Sequence, residues 1–218
     1  MMKKLIIICE GPTERAFCNK LLRNYFLSRD ISLNAPLITK SDGGIVHWDS
    51  LKKQINNDLK KNKNYVTTFI DYYGIPDRFE YPGWKAAKLI LDKEERMNFL
   101  ETEMAAEIDE KYRYRFIPYF QLHEFEALLF NNIEVFEQQF NSDEILDKEE
   151  LIAVLNDFPN PEMINNNIQT TPSKRLEKLI LGYNKTLFGE ILSEAIGLKA
   201  IRKKCPRFNQ WISKLESI

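Results

Sequence analysis

The sequence predicts an α/β fold: a mainly parallel four-stranded sheet flanked by helices, with a helical extension at the C-terminal end. Apolar, β-branched runs alternate with segments of helical spacing through the first 130 residues, which is the pattern of βαβ crossovers. No comparable strand pattern follows residue 131. We therefore predict a core over residues 1–130 and a helical extension over residues 131–218 that packs on it.

The first strand is predicted over residues 4–9, where the continuous apolar run KLIIIC indicates a strand covered on both faces. Gly11 and Pro12 end this run. Thr13 is the expected N-cap of a helix over residues 14–27, in which apolar side chains keep helical spacing. This strand and helix form the first βα unit.

Two further strands are predicted before residue 72. The second covers residues 33–39 and is followed by a loop over residues 41–44 that contains Gly43 and Gly44. This Gly-Gly loop either approaches a substrate backbone closely or is only a turn. Residues 48–59 are predicted to be helical, and residues 66–70 form the third strand, which leads directly into Asp71.

A helix is predicted over residues 86–108, with a break near Asp92. The fourth strand covers residues 114–122, and Pro118 inside it indicates an edge position or a bulge. A helix is expected over residues 124–130.

The C-terminal part is predicted to be helical. Residues 156–171 are rich in Asn and Pro and form an irregular connection. Helical patterns follow over residues 173–183 and 188–196, and Pro206 begins the last helix.

The composition is that of an ordinary globular protein, with 44% hydrophobic and 29% charged residues. No apolar run reaches the roughly 18 residues that a membrane span needs, so no membrane association is expected. Three cysteines without C-x-x-C spacing indicate reduced thiols in a cytoplasmic protein. Two histidines leave too few ligands for a zinc site.

The formal net charge of −1 hides an asymmetry, because the residues after 170 are predominantly basic and those before are predominantly acidic. Such a division suits a protein that binds a metal with one part and a polyanion with the other. Exposed faces of lysine-rich helices explain the same asymmetry, so both interpretations stay open.

Acidic residues follow three of the predicted strands. Glu10 follows the first strand, Asp71 the third, and Glu124 and Glu126 the fourth, while Glu14 lies one helical turn beyond Glu10. Ligands of open parallel sheets bind at the edge where the strands end. Carboxylates gathered there repel one another, and a divalent cation such as Mg²⁺ or Mn²⁺ offsets the repulsion. The sequence therefore predicts an acidic divalent-metal site.

Each acid also has an ordinary explanation. Glu14 suits the positive end of its helix whether or not it binds a metal. Asp71 suits the cap of a turn, and one of Glu124 and Glu126 suits the solvent face of a helix. That all of them have such roles at the same sheet edge is the less economical interpretation.

Two segments resemble the signature motifs of TOPRIM (topoisomerase–primase) domains: C-E-G-P-T-E at residues 9–14 and F-I-D-Y-Y-G at residues 69–74. The resemblance implies a TOPRIM-like, Rossmann-like sheet. The second TOPRIM motif is usually D-x-D, whereas here it reads Asp71-Tyr72-Tyr73. Tyr73 therefore replaces one expected carboxylate, and Glu126 is the candidate that compensates for it.

Further segments resemble a bacterial family named domain of unknown function 4276, and the resemblance covers nearly the whole chain. They occur in order: E-G-x-T-E at 10–14, Gly43-Gly44, D-Y-Y-G at 71–74, H-E-F-E-A-L-L-F at 123–130, P-S-K-R at 172–175, and I-R-x-x-C-P-x-F-x-x-W at 201–211. Such proteins are similar to the nuclease domains of overcoming-lysogenization-defect proteins and tend to be encoded beside ATPases in phage-defence loci.

This resemblance implies that Glu10, Glu14, Asp71 and Glu126 hold two Mg²⁺ or Mn²⁺ ions and that a lysine, carried over to Lys174, assists catalysis. Among these residues Glu10, Asp71 and Lys174 are the candidate catalytic ones. Glu124 is a further candidate metal ligand.

Basic residues of the C-terminal part are candidate phosphate contacts, namely Lys174, Arg175, Lys185 and Arg202. The segment Ser173-Lys174-Arg175 either binds a phosphate at a helix N-terminus or is an N-cap followed by two exposed bases. Tyr73 and His123 are candidates for contacting the metal ligands rather than the metal. For His123, a role as a proton shuttle and a role as a helix cap both stay open.

The sequence supports two functional hypotheses. The first is a Mg²⁺- or Mn²⁺-dependent nuclease that cleaves DNA or RNA and acts in anti-phage defence with a partner ATPase. The second is a regulatory or sensor subunit that binds metal or nucleotide in a degenerate TOPRIM site and acts with a partner ATPase without cleaving. The choice between DNA and RNA and the formation of a homo-oligomer are left open.

Overall fold

The structure is a computed structural model that describes residues 2–39, 44–61, 63–165 and 167–218. In these residues the chain forms a sheet with the strand order β2-β1-β3-β4, in which β5 also pairs with β3, and all of these pairs are parallel. The strands are β1 Lys3–Cys9, β2 Ile31–Asn34, β3 Tyr65–Asp71, β4 Phe116–Ile117 and β5 Phe120–Gln121. The predicted parallel sheet with flanking helices is confirmed.

The α-helices of the described residues lie between and after these strands. They are α1 Pro12–Phe17, α2 Arg23–Leu27, α3 Trp48–Lys60, α4 Trp84–Ala87, α5 Lys93–Ala106, α6 Glu110–Arg113, α7 Ile133–Gln139, α8 Lys148–Asp157, α9 Pro172–Leu179, α10 Lys185–Ile196, α11 Leu198–Lys204 and α12 Pro206–Glu216. The predicted helix over 48–59 and the start of the last helix at Pro206 are confirmed.

The first helix begins earlier than predicted. Gly11, not Thr13, is its N-cap, and Pro12 occupies the first helical position, where its missing N–H is no loss. A π-helical segment, Cys18–Leu22, joins α1 to α2, so the run continues to Leu27 as predicted. This start makes Glu14 a first-turn residue that faces the end of β1.

The second strand was predicted too late. It ends at Asn34, two residues before Pro36, which has no N–H to donate. Leu37 pairs with Cys9 only as an isolated bridge. The predicted loop over residues 41–44 lies outside the described residues except for Gly44, whose backbone N donates to the carbonyl of Glu10 at 3.2 Å.

The third and fourth strands differ from prediction in length. Asp71 is the last residue of β3 rather than the residue after it, and it lies opposite Gln121 in register. The predicted fourth strand is divided into β4 and β5 around Pro118. Between them Thr68 satisfies the backbone of Tyr119, because its hydroxyl accepts from the Tyr119 N–H and donates to the Tyr119 carbonyl, both at 2.9 Å.

The break predicted near Asp92 is confirmed: α4 and α5 are separate, and the Asp92 carboxylate accepts from the N–H of Glu95 at 2.8 Å. The helix expected over residues 124–130 is instead a 3₁₀ segment, Phe125–Leu129, with Glu124 as its N-cap. A second short 3₁₀ segment, Pro161–Met163, lies in the predicted irregular connection.

Both faces of the sheet are covered. Side chains of α1, α9, α10 and α12 share one apolar cluster with Leu5 and Phe69, and side chains of α3, α4 and α5 share another with Ile8 and Ile70. Trp211 of α12 stacks on Tyr119 at 4.4 Å, and its indole N–H donates to Thr67 Oγ1 at 2.8 Å. The C-terminal helices therefore complete the core on the first face.

The described residues contain no helix that is long and apolar enough to cross a membrane. Cys9, Cys18 and Cys205 are buried and form no disulfide.

Candidate functional site

Glu10 and Asp71 lie side by side where β1 and β3 end. The two strands are neighbours, with Cys9 opposite Phe69 in register. Glu10 Oε2 accepts a hydrogen bond from the backbone N of Asp71 at 3.0 Å. The structure thus brings together the two predicted residues, and the peptide group of one orients the carboxylate of the other.

Glu14 lies against this pair from the first turn of α1. It is buried, and its Oε2 accepts from the backbone N of Gly11 at 2.9 Å. A Cβ at Gly11 would stand 3.1 Å from that oxygen, so the glycine leaves room for the carboxylate. Glu14 therefore does both things that the sequence left open: it caps its helix, and it adds a carboxylate to the edge of the sheet.

Glu126 reaches the same place from the 3₁₀ segment after β5. Its side chain is fully buried, and Oε2 lies 3.1 Å from the ammonium nitrogen of Lys185 in α10. We call Glu10, Glu14, Asp71 and Glu126 the carboxylate cluster.

The charges in the carboxylate cluster act on one another. Burial raises the pKa of Glu10 to about 7, and the charge of Glu14 adds to the rise. Burial also raises the pKa of Asp71 well above its ordinary value, with further rises from Glu14, Glu10 and Glu126. The pKa values of Glu126, at about 7, and of Glu14 are raised by burial as well. The cluster therefore holds negative charge only at a cost that a nearby cation reduces.

Lys185 supplies such a cation. Burial alone lowers its pKa, but the charges of Glu126, Asp71 and Glu124 together raise the pKa above its ordinary value. The ammonium group stays charged at neutral pH and neutralises part of the cluster.

Gly189 allows α10 to carry Lys185 this close. It lies one helical turn after Lys185 and faces α1, and a Cβ there would stand 2.7 Å from Cγ2 of Thr13 and 3.4 Å from the ring of Phe125. A real Cβ does not approach a carbon atom to 2.7 Å. The bare backbone at Gly189 therefore sets the distance between the two helices that line the cluster.

The donor chemistry of the cluster fits a hard divalent cation. Asp71 Oδ1 and Glu126 Oε1 are buried and accept no hydrogen bond from the described residues. Unsatisfied buried carboxylate oxygens are costly, and oxygen ligands are those that Mg²⁺ and Mn²⁺ prefer. As the side chains stand, no three His, Cys, Asp or Glu side chains of the described parts are grouped closely enough to hold an ion. Metal binding therefore requires side-chain rearrangement.

Glu124, the further candidate ligand, has a different position. Its two carboxylate oxygens accept from the backbone N and the hydroxyl of Ser173, at 2.9 and 3.1 Å. Thr171 caps α9, and its hydroxyl accepts from the N–H of Lys174. The first N–H groups of α9 are thus satisfied within the chain, which favours the N-cap interpretation of this helix start over the phosphate site.

The other predicted basic residues are not brought to the carboxylate cluster. Lys174 pairs with Glu177 at 2.5 Å on the surface. Arg175 lies 3.5 Å from Glu150 and donates to the carbonyl of Thr170.

Arg202 is bound by Glu216 and Tyr25. This network lies near the start of β1, where Lys3 contacts the last residue of the chain, whereas the carboxylates lie at the other end of that strand. Of the four predicted phosphate contacts, Lys185 lies beside the carboxylates.

His123 and Tyr73 are neighbours through their backbones: the Tyr73 N–H donates to the His123 carbonyl at 3.0 Å. Burial lowers the pKa of His123 to about 3, and the charges of Lys93 and Arg96 add to the shift. An imidazole with this pKa stays neutral near pH 7, which does not fit a proton shuttle. Glu124, not His123, is the N-cap of the following segment.

Sequence reasoning missed Gly189 and two tyrosines beside the cluster. Tyr81 and Tyr183 have buried hydroxyls without a hydrogen-bond partner in the described residues. The pKa of Tyr81 is raised by burial and by Glu10, and that of Tyr183 by burial and by Glu126. A glycine inside a helical pattern was the available signal for Gly189. No local signal identifies the tyrosines, because their partners are distant in sequence.

Replacing Gly189 with Ala is expected to destabilise the protein. In an unconstrained helix this change stabilises by up to about 1 kcal/mol, but here the methyl group overlaps Thr13 and is expected to cost roughly 1–3 kcal/mol. Urea denaturation measures the change. The double variant Gly189→Ala/Thr13→Ser, which removes Cγ2, should recover part of the loss, and a stabilised single variant would contradict the close approach.

Divalent metal is expected to raise the melting temperature more at pH 8 than at pH 6. The raised pKa values of Glu10 and Glu126 contribute stability to the metal-free fold that is complete below about 4.5 and is lost as the pH rises through about 7. At pH 6 an ion has to displace these protons, whereas at pH 8 it meets ionised carboxylates.

The measurement is the difference in melting temperature between Mn²⁺ and EDTA at each pH. This difference cancels the pH dependence of the melting temperature that comes from other groups with shifted pKa values, such as Glu162 and His123. Equal differences at the two pH values, or none at pH 8, would count against a metal at the cluster.

Two solved structures of the C-terminal region of the OLD protein of Xanthomonas campestris pv. campestris are similar to this chain. The one phased with mercury is 16% identical, covers 100% of both chains and has a TM-score of 0.41. The one phased with platinum is 16% identical, covers 99% of this chain and 96% of that one, and has a TM-score of 0.38.

None of the curated proteins compared matches the sequence. The model of the family described as "Domain of unknown function (DUF4276)" matches residues 9–216. The predicted family is thereby confirmed, and the chain belongs to it.

Proposed function

We propose that the protein is a metal-dependent nuclease that hydrolyses phosphodiester bonds of DNA or RNA at the carboxylate cluster. The observation that carries this proposal is the convergence of four carboxyl groups, three of them buried and Glu10 half-buried, on one lysine at the carboxyl edge of a parallel sheet. Two of their oxygens lack any partner in the described residues.

The residues of the cluster have separate roles in this proposal. Glu10, held by the peptide N–H of Asp71, and Asp71 itself are the central ligands of Mg²⁺ or Mn²⁺. Glu126 and Glu14 complete a site for two ions. The metal, when bound, activates water and stabilises the leaving oxygen. Lys185 neutralises charge on the phosphate that enters beside it.

Lys185 replaces Lys174 as the assisting lysine. Its ammonium already lies 3.1 Å from a cluster oxygen, and it is carried by a helix that Gly189 holds against α1. Lys174 is engaged by Glu177 on the outside of α9. A lysine helps catalysis only where it reaches the reacting phosphate, and this favours Lys185.

The second candidate function is a regulatory or sensor subunit that binds metal or nucleotide without cleaving. Tyr73 stands where a second acid is usual in the motif. The Lys185–Glu126 pair also supplies internally some of the positive charge that an ion would bring. Both candidate functions include a partner ATPase and a role in anti-phage defence, which rest on the motif resemblance.

Replacing Glu10 with Gln is expected to abolish metal-dependent cleavage and leave the fold intact. The Gln side-chain oxygen still accepts from the Asp71 N–H, but the ionised ligand is gone. Purified protein is incubated with plasmid, single-stranded DNA and RNA in Mg²⁺, Mn²⁺ or EDTA, with the exposed Glu149→Gln as the matched control.

The same incubation separates the two candidate functions. Cleavage by the wild type that EDTA and Glu10→Gln both stop supports the nuclease. Metal binding without cleavage of any substrate supports the regulatory subunit. Full cleavage by Glu10→Gln with Mn²⁺ would refute the assignment of the site.

Replacing Lys185 with Gln is expected to lower the rate of cleavage at saturating substrate by at least about tenfold, since one charge beside the reacting phosphate contributes 1.4 kcal/mol or more in such sites. Lys174→Gln makes the same chemical change on the surface and should leave the rate unchanged. The reverse pattern would show that Lys174 is the assisting lysine after all.

A further inference from the structure

A group of basic side chains outside the carboxylate cluster lies at the same edge of the sheet. Lys93 is the first residue of α5, Arg96 lies one turn later, and His123 follows β5. The ammonium nitrogen of Lys93 is 3.1 Å from Nε2 of His123. We call these three residues the basic cluster.

The positive charges of the basic cluster have no acidic partner. None of the ion pairs among the described residues involves Lys93 or Arg96. Arg96 is held by neutral groups instead: Nε and Nη2 donate to the Ile90 carbonyl at 3.0 and 2.7 Å, and Nη1 lies 3.4 Å from the Tyr72 hydroxyl. Burial and the charge of Arg96 lower the pKa of Lys93. Such an arrangement is stabilised by an anion.

Asn165 contacts Nδ1 of His123 and so determines which ring nitrogen carries the proton and which the lone pair. Its Nδ2 lies 3.4 Å from Nδ1 of His123, while its Oδ1 is buried without a partner in the described residues. With the amide turned over, Oδ1 accepts from the Nδ1–H of His123. Nε2 is left as an acceptor for Lys93, which keeps its other N–H groups free to bind a ligand.

The basic cluster is close to the carboxylate cluster along the chain. Asp71 ends β3, and Tyr72 and Tyr73 follow it. The backbone N of Tyr72 donates to the carbonyl of Gln121, and that of Tyr73 donates to the carbonyl of His123. Asp71 at the end of β3 and His123 just after β5 therefore lie at the ends of neighbouring strands, and His123 is hydrogen-bonded to the backbone two residues after Asp71.

We propose that the basic cluster is a phosphate-binding subsite that holds a backbone phosphate of a nucleic-acid strand, next to the phosphate at the carboxylate cluster. The inference rests on the proposed function for what lies at the carboxylates. The carboxylate cluster accepts a phosphate only with a metal between them, whereas the basic cluster binds one directly. The subsite positions the strand and reads no sequence.

The test is binding without cleavage, by fluorescence anisotropy of labelled single-stranded DNA and RNA oligonucleotides in EDTA. Lys93→Gln is expected to weaken binding about tenfold and to lower the slope of log affinity against log salt by about one. Lys93→Arg should retain most of the affinity. Lys60→Gln is the matched control, because Lys60 is exposed at the end of α3, which leads to the opposite edge of the sheet.

Wild-type affinity and salt slope in both Lys93→Gln and Arg96→Gln would overturn the proposal. Arg96 also holds the Ile90 carbonyl, so if Arg96→Gln loses stability the decision rests on Lys93→Gln, whose side chain contacts His123. Binding of ATP that Lys93→Gln weakens, together with no oligonucleotide binding by the wild type, would also overturn it, because the anion would then be a free nucleotide.

Cleavage and oligonucleotide binding test the nuclease and the phosphate-binding subsite separately. Glu10→Gln should stop cleavage without weakening oligonucleotide binding in EDTA, because that carboxylate contacts a phosphate only through a metal. If the wild type cleaves nothing but Lys93→Gln still weakens binding, the nuclease proposal fails and the subsite stands. If cleavage occurs and Lys93→Gln binds normally, the subsite alone fails.

Discussion

The constraint on which the rest of the site depends is the placement of four carboxyl groups, three of them buried and one half-buried, close together at one edge of the sheet. Burial raises the pKa of each of them, and the charges of their neighbours raise the pKa values of Glu10 and Asp71 further. The folded chain therefore tolerates them only where donors and cations are brought in. Peptide N–H groups of Gly11 and Asp71 and the ammonium of Lys185 meet this need. Each donor comes from a different part of the chain. The strand ends, the start of α1 and the start of α10 therefore all contribute to stabilising the same carboxylates.

Lys185 makes the C-terminal helices part of the site. It lies in the region that the sequence presents as an extension, yet it is the cation beside the carboxylates. The extension is also anchored to the core elsewhere, since Arg207 pairs with Glu101 of α5 and Trp211 stacks on Tyr119. The position of α10 relative to the sheet is therefore set by apolar packing and by the glycine contact with α1, and the ion pair forms within that frame.

Residues of the same chemical type differ in their capacity to bind a ligand, because some already have hydrogen-bond or ion-pair partners within the chain and others do not. Glu124 is a carboxylate near the cluster, but Ser173 uses both of its oxygens. Asp71 and Glu126 each keep a buried oxygen without a partner in the described residues. Likewise Arg202 is enclosed by Glu216 and Tyr25, whereas Arg96 has only neutral partners. The capacity to bind a ligand depends on which polar atoms and charges have no partner within the chain, and the tertiary structure determines which these are.

The sequence by itself determined the class of fold and the two central acids. Continuous apolar runs mark buried parallel strands, and an acid at the end of such a run must emerge at the carboxyl edge, so Glu10 and Asp71 were predicted from local pattern alone. The predicted limits of β2 and α1 were wrong where the chemistry of one residue overrides the pattern, as with Pro36 after the end of β2 and Gly11 at the start of α1.

Only the tertiary structure decided that Lys185 lies beside the carboxylates. Only the tertiary structure also showed that the N–H groups at the start of α9 are already bonded within the chain, whereas Lys93 at the start of α5 has no acidic partner among the described residues. Lys174 and Lys185 are equivalent in sequence terms and similarly exposed. They differ because the docking of α9 and α10 leaves the ammonium group of Lys174 beside Glu177 and brings that of Lys185 to Glu126. That docking depends on contacts such as Gly189 with Thr13, between residues 176 positions apart in the chain. Local patterns carry no information about such contacts, because they arise only when distant segments pack together.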